Sequence, residues 1–181
     1  MNKALLHSRS ASGRGDCPQP TLYDRLVEAT LGDFIDPMAP VQRKHGSGDS
    51  TLRECVLRHM ARLLNASRLL DADAAAAYPQ VARSVVNYGV PPLAGAVISE
   101  IDVGQVEEAI RQALMHYEPR LLPESIEVRY AGGDARAGHR NVLRFEIAAK
   151  LWHVPRPVPM LVYTDLDLES GAASVRALAE R

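Results

Sequence analysis

The hydrophobic period of this chain changes from helical to extended near residue 120, and that change limits the folds open to it. Around 51–65 and 102–118 apolar residues recur every three to four positions, as one face of an α-helix requires. After Ile126 they recur every second position, as a half-buried strand requires. Leu52, Cys55, Val56, Met60, Leu63 and Leu64 mark one helical face, with Arg53, Arg58 and Arg62 mostly off it. Thr51 and Glu54 fit a capping box, in which hydroxyl and carboxylate satisfy free N–H groups at a helix start. The spacing therefore predicts a helix over 51–65. Asp102 and Gln105 form a second capping pair, and Val106, Ile110, Ala113, Leu114 and Tyr117 follow at helical spacing. This helix ends at Glu118, because Pro119 disfavours helical backbone at the residue before it. A surface ion pair is expected between Glu107 and Arg111.

Three alternating runs follow: Ile126, Val128 and Tyr130; then Leu143, Phe145, Ile147, Ala149 and Leu151; then Met160, Val162, Thr164, Leu166 and Leu168. A polar loop from Gly132 to Arg140 joins the first two, and a turn from Pro155 to Pro159 joins the second pair. Three consecutive strands on short connections make an antiparallel meander, and two helices before it can cover its apolar face. The expected architecture is α+β in two layers. Its edge strands carry unpaired backbone groups, which either accept an added strand or are covered by a loop or by residues 169–181.

The flanks read differently. Residues 1–20 are rich in Gly, Ser and Pro with few apolar groups, and are expected to form a disordered tail. Leu22, Leu26 and Ala29 predict a short helix over 21–31, which needs a surface to dock on. Gly32, Pro37, Pro40 and the polar stretch Gln42 to Asp49 read as a linker over 32–50. The folded domain is expected over 51–168, with a C-terminal tail at 169–181. Between the two long helices, an alanine-rich helix over Asp71 to Tyr78 is stopped by Pro79, and Gly89, Pro91 and Pro92 force irregular backbone.

Twenty-one Lys and Arg stand against 22 Asp and Glu, so the overall charge gives no reason to expect a nucleic-acid partner. No apolar run approaches a membrane span, and residues 1–20 lack the apolar core of a secretory signal. Cys17 and Cys55 sit in unlike contexts, and two free thiols in a reducing cytosol are the simpler expectation.

Catalytic patterns are equally scarce. The six histidines, His7, His45, His59, His116, His139 and His153, never recur at the i,i+2 or i,i+4 spacing that presents two to one metal. Gly132-Gly133 precedes a polar loop and a strand, whereas a phosphate cradle opens a helix. No nucleophile with a base and no carboxylate pair in an evident cleft stands out, so neither catalytic residues nor a metal or cofactor is expected.

One tripeptide is unusual in its context. Glu118-Pro119-Arg120 sits at the junction of the second helix and the meander. It reads either as a helix stop with two charged neighbours, or as a charged pair held by a stiff turn to fix register at an interface.

The residues then carry a resemblance. Ser84-Val85-Val86-Asn87-Tyr88-Gly89-Val90-Pro91-Pro92-Leu93, the helical Ile110-Arg111-Gln112-Ala113, the Glu118-Pro119-Arg120-Leu121 that closes it, and upstream Leu22-Tyr23-Asp24-Arg25-Leu26 together resemble the TssE family. That family includes the baseplate wedge subunit of T-even phage and was once labelled lysozyme-like. The match runs in order over about 21–168. It implies a non-enzymatic baseplate subunit of a bacterial type VI secretion system that helps nucleate the contractile sheath. It also implies a domain resembling the handshake domain of the sheath protein. By the same resemblance, Glu118, Pro119 and Arg120 would belong to the surface linking baseplate to sheath. Leu22, Tyr23, Asp24, Arg25 and Leu26 would dock on other wedge subunits. The implied partners are TssF, TssG and TssK with the sheath proteins TssB and TssC, and the implied location is cytoplasmic, at the membrane-proximal baseplate. Two other functions stay open: a wall-cleaving glycosidase using two carboxylates, or an adaptor with an unrelated partner.

Overall fold

The computed structural model of the protein describes residues 48–132, 141–153 and 156–178. The predicted tail at 1–20, the short helix at 21–31, most of the 32–50 linker and the polar loop after Gly132 lie outside the described residues, as does Cys17.

The first helix, α1, spans Gly48–Leu64, so it starts one turn earlier than its apolar period suggests. Gly48, Asp49 and Ser50 carry no apolar group, which hides that turn from a periodicity reading. Thr51 consequently lies inside the helix and not at its cap, and Glu54 faces Arg58 across one turn at 3.6 Å. The alanine-rich stretch forms α2, Ala72–Ala77, with the Asp71 carboxylate accepting from the Ala74 N–H at 2.8 Å. Pro79 ends it as expected but also opens a further turn, α3, Pro79–Ala82, because a proline at the first helical position has no N–H to lose. The second long helix, α4, covers Val103–Tyr117, and Asp102 caps it by accepting from the N–H groups of Gly104 and Gln105. The predicted Glu107–Arg111 pair does not form. Arg111 binds Glu108 instead, at 2.6 and 2.7 Å, and Glu107 turns to the sheet.

The sheet has four antiparallel strands in sequence order: β1 (Glu127–Gly132), β2 (Val142–Leu151), β3 (Val158–Asp167) and β4 (Ala173–Ala177). The expected three-stranded meander is therefore one strand short. Residues expected as a C-terminal tail supply β4, which pairs with β3 from Leu166↔Ala173 to Val162↔Ala177. Ala-Ser-Val-Arg-Ala carries one β-branched residue and almost no alternation, so nothing local marks it as a strand. The turn before it is more informative. Asp167 accepts from the Glu169 N–H and the Ser170 hydroxyl, and Gly171 takes the left-handed conformation at φ 72°.

Helices α1 and α4 pack side by side on one face of the sheet, α1 over β4 and α4 over β1. Every inward position predicted for the second and third strands is buried, from Leu143 to Leu151 and from Met160 to Leu168. Against them α1 sets Leu52, Val56, Met60 and Leu63, and α4 sets Val106, Ile110, Ala113 and Leu114. The opposite face of the sheet is polar: Arg144 makes two bonds to Asp165, Arg176 reaches the same carboxylate, and the Tyr163 hydroxyl donates to Glu146.

The chain between α2 and α4 is held by backbone contacts. Ser67 and Val90 form a parallel bridge, with Arg68 N–H bonded to Val90 carbonyl and Val90 N–H to Ala66 carbonyl, both at 2.9 Å. Gly89 makes this possible. Its φ is 122°, and a Cβ there would stand 2.2 Å from the Ala66 carbonyl oxygen. Gly95 also has a positive φ, 79°, but open space around it. Gly89→Ala is expected to cost about 3 kcal/mol or more, from strain plus a backbone clash, whereas Gly95→Ala should cost about 1 kcal/mol. Urea unfolding of the two variants against the wild type measures the difference.

Candidate assembly site around Glu118 and Arg120

Pro119 fixes the geometry of this site. It forces Glu118 out of the helical region, to φ −118° and ψ 81°, and the chain turns at once onto the sheet. Beyond the turn, Leu122 N–H bonds the Lys150 carbonyl at 2.9 Å and Trp152 N–H bonds the Arg120 carbonyl at 2.8 Å. Residues 120–122 thereby run alongside the end of β2 and its continuation.

The turn brings two charges inside. Glu118 is 1% exposed and Arg120 is 6% exposed, while Pro119 between them faces solvent. The carboxylate is fully engaged. Its Oε1 accepts from Arg120 Nε at 2.7 Å and from the Arg120 N–H at 3.2 Å; its Oε2 accepts from Arg120 Nη2 at 2.8 Å. The Nδ1 of His59, on α1, lies 2.6 Å from the same Oε2. This is a bidentate guanidinium–carboxylate pair with a third partner from another helix, the arrangement that can offset the desolvation of buried charge. Burial by itself would raise the Glu118 pKa. The hydrogen bonds from Arg120 and His59, together with their charges, outweigh it and hold the carboxyl below its ordinary 4.5.

Around this pair sits the Ser84–Gly89 segment. Tyr88 packs edge-on to Tyr117 with ring centroids 5.1 Å apart and lies 6.1 Å from the His59 ring. The Tyr117 hydroxyl donates to the Ser84 carbonyl at 2.9 Å. Asn87 is buried, accepting from Leu70 N–H at 2.9 Å and donating to the Ala82 carbonyl at 3.0 Å. So anchored, the segment turns Val85 and Val86 outward, 81% and 60% exposed. Leu69, Tyr78 and Val81 on the same stretch are exposed as well. A contiguous run of chain that pins its polar groups inward and presents valines outward is arranged to meet another surface.

The tripeptide is thus brought together as one unit. The positions Leu22, Tyr23, Asp24, Arg25 and Leu26 lie outside the described residues. His59, Asn87, Tyr88 and Tyr117 join the site although the sequence did not assign them to it. His59 stands 59 positions before its partner, and no local pattern links the two. Gly89, followed by two prolines, was the available signal that this stretch had an imposed backbone. Among the described residues, no group of three or more His, Cys, Asp or Glu could hold a metal ion, and no helix is long and apolar enough to cross a membrane.

Because the folded pKa of Glu118 lies below its unfolded value, its contribution to stability is present above about pH 4.5 and is lost as pH falls through the folded value. Urea-unfolding free energy should therefore decline below that pH, and Glu118→Gln should flatten that part of the curve. At neutral pH, Arg120→Ala leaves a buried carboxylate without its main partner and should cost about 3–5 kcal/mol.

The family model described as baseplate wedge protein gp25 matches residues 50–156. That range starts in α1, contains α4, the Glu118–Arg120 pair, β1 and β2, and covers more than half of the chain. No curated protein and no solved structure matches the chain. A helix-covered antiparallel sheet, with a glutamate–proline–arginine turn locked beneath a rigid apolar segment, is thus what this family builds here, and the chain belongs to the baseplate wedge protein gp25 family, which is the family of TssE.

Proposed function

We propose that this baseplate wedge protein is the TssE-type subunit of a bacterial type VI secretion system and that it helps nucleate the contractile sheath. The family is a structural one, and membership carries the baseplate role. In this reading the protein works in the cytoplasm at the membrane-proximal baseplate. Residues 22–26 dock on TssF and TssG, TssK completes the assembly, and the sheet faces the sheath proteins TssB and TssC.

The observation that supports the sheath end of this reading is the outer edge of β4. Asn65, just past the end of α1, donates to the Ala173 carbonyl at 2.8 Å and accepts from the Ala173 N–H at 2.9 Å. Both backbone groups of Ala173 therefore point away from β3. Antiparallel pairing alternates inward and outward residues, so Val175 and Ala177 also direct their N–H and C=O outward. Leu178, one residue on, fits this alternation by donating back to Leu161 at 3.0 Å. Val175 and Ala177 form a short open edge that an incoming strand can extend. The other edge is less open: Glu107 accepts from the Tyr130 N–H on β1 at 2.6 Å.

Glu118, Pro119 and Arg120 enter this proposal as positioning residues. Their buried pair holds the Val85–Val86 surface and the end of β2 in fixed relation, which suits a subunit that must set register for a first ring. A glycosidase fits the chemistry poorly. The carboxyls of Glu108, Glu118 and Asp165 are all held below their usual range by arginine partners, Glu108 at about 2, whereas a general acid needs one pushed upward.

Val175→Pro removes an outward N–H without touching a β3 bond and is tolerated at an edge. In cells lacking this gene, fluorescent sheath should assemble with the wild type and fail with Val175→Pro, while the variant stays folded by circular dichroism. Normal sheath assembly in the deletion strain would overturn the proposed function. Normal assembly with Val175→Pro would remove only the edge from it.

A further inference from the structure

A second feature lies on the flank of α4. A groove of about 830 Å³ opens between this helix and the stretch of chain from Arg68 to Leu93. On the α4 side it is lined by Gln105, Ala109, Gln112 and His116, which share one helix face, so the groove follows that face for about 16 Å. Ala75 of α2 and Ala82 of α3 line it from the other segment. These two short helices are covered by little of the domain: none of their described side chains is buried, and Tyr78 and Val81 beside the groove are exposed. Helices of one or two turns do not hold on propensity alone. Here the Asn87 side chain joins the Leu70 N–H before α2 to the Ala82 carbonyl at the end of α3. The groove is thereby held open and preorganised, with its alanine walls uncovered.

Charge decides what this groove accepts. Arg68 and Arg83 line it, and neither guanidinium makes an ion pair among the described residues. The two carboxylates that line it are already engaged. Asp102 caps α4 and also accepts from the Gln105 side chain at 3.1 Å, and Glu108 accepts from Arg111 and from the Gln112 side chain at 2.7 Å. Two uncommitted cations therefore face the groove, and both of its carboxylates have partners.

We propose that the groove receives an acidic amphipathic helix of a neighbouring protein. Its walls are helical, with backbone N–H and C=O groups bonded inside α2, α3 and α4. An extended peptide laid between them would give up water at its own backbone groups and find no partners there. A helix satisfies those groups internally and turns an apolar stripe to the walls. Alanine on both sides lets its axis come close. Carboxylates bordering the stripe meet Arg68 and Arg83, each able to hold one through two parallel bonds. The neighbour that supplies the helix is expected from the assembly role proposed above, on which this inference rests. The β4 edge takes no part in it, so sheath imaging reads that role and cross-linking at the groove reads this one, and the two fail separately.

A photoreactive p-benzoylphenylalanine tests this in cells that carry the gene, placed in the full chain at Gln105 on α4 or at Val81 beside Ala82, both exposed. Both positions should give an adduct with the same segment of one other protein, and mass spectrometry of the adduct should read an acidic sequence of helical period. Arg83→Glu, at an exposed position, should lower the yield about tenfold or more through like-charge repulsion, while urea unfolding matches the wild type. Arg68→Gln, which removes charge without reversing it, should lower the yield as well. Changing a bordering acidic residue of the adducted segment to lysine should restore the yield in the Arg83→Glu protein. Adducts with residues 1–47 of the same chain, with a second copy, or with a segment that lacks acidic residues overturn the proposal. So do adducts undiminished by Arg83→Glu and Arg68→Gln, and so does the absence of an adduct at both positions.

Discussion

A carboxylate with no access to water organises this fold. Glu118 closes α4, receives the guanidinium of Arg120 from the far side of a proline, and meets His59 from α1. Three parts of the chain that share no sequence neighbourhood are thereby brought to one point: the middle of the first long helix, the end of the second, and the strand-like segment that joins β2. Hydrophobic burial alone would let α1 and α4 slide over the sheet with modest loss, because apolar contacts are non-directional. A desolvated ion pair with bidentate geometry has one satisfactory arrangement, and departures from it leave charge unpaired.

Long-period signals in the sequence translated well into structure. Both long helices, the Asp102 cap, the stop before Pro119 and the inward faces of β2 and β3 follow from spacing alone. The remainder depended on partners distant in sequence. Strand β4 is made of small residues and exists because β3 offers it an edge and Asn65 secures its first residue. Glu107 looked like a member of an i,i+4 pair, but the Tyr130 N–H, 23 positions away, is a buyer for its carboxylate that Arg111 does not need to match. The candidate site divides the same way. The tripeptide was visible as an oddity and its proline explained the turn, yet its burial and its third partner, His59, are products of helix packing.

The two sheet edges show one device used twice. Helix α4 sends Glu107 to the backbone of β1, and Asn65, at the foot of α1, binds the backbone of β4 at both its N–H and its carbonyl. The helix end on each side thus satisfies edge groups of the strand beside it, one on β1 and two on β4, which limits unwanted strand pairing without closing the sheet into a barrel. What stays open on β4 is short, so any strand added there has little freedom to slip in register.

The Asn65 contact also bears on the order in which the molecule matures. It joins residues 108 positions apart, so closing it requires ordering most of the domain first. A chain in which β2 and β3 have paired but β4 has not would expose the whole flank of β3, a long and apolar template for indiscriminate association. Once β4 docks and the asparagine engages, that template shrinks to a few backbone groups. Completion of folding thus replaces an indiscriminate template with a short, defined set of backbone groups at this edge.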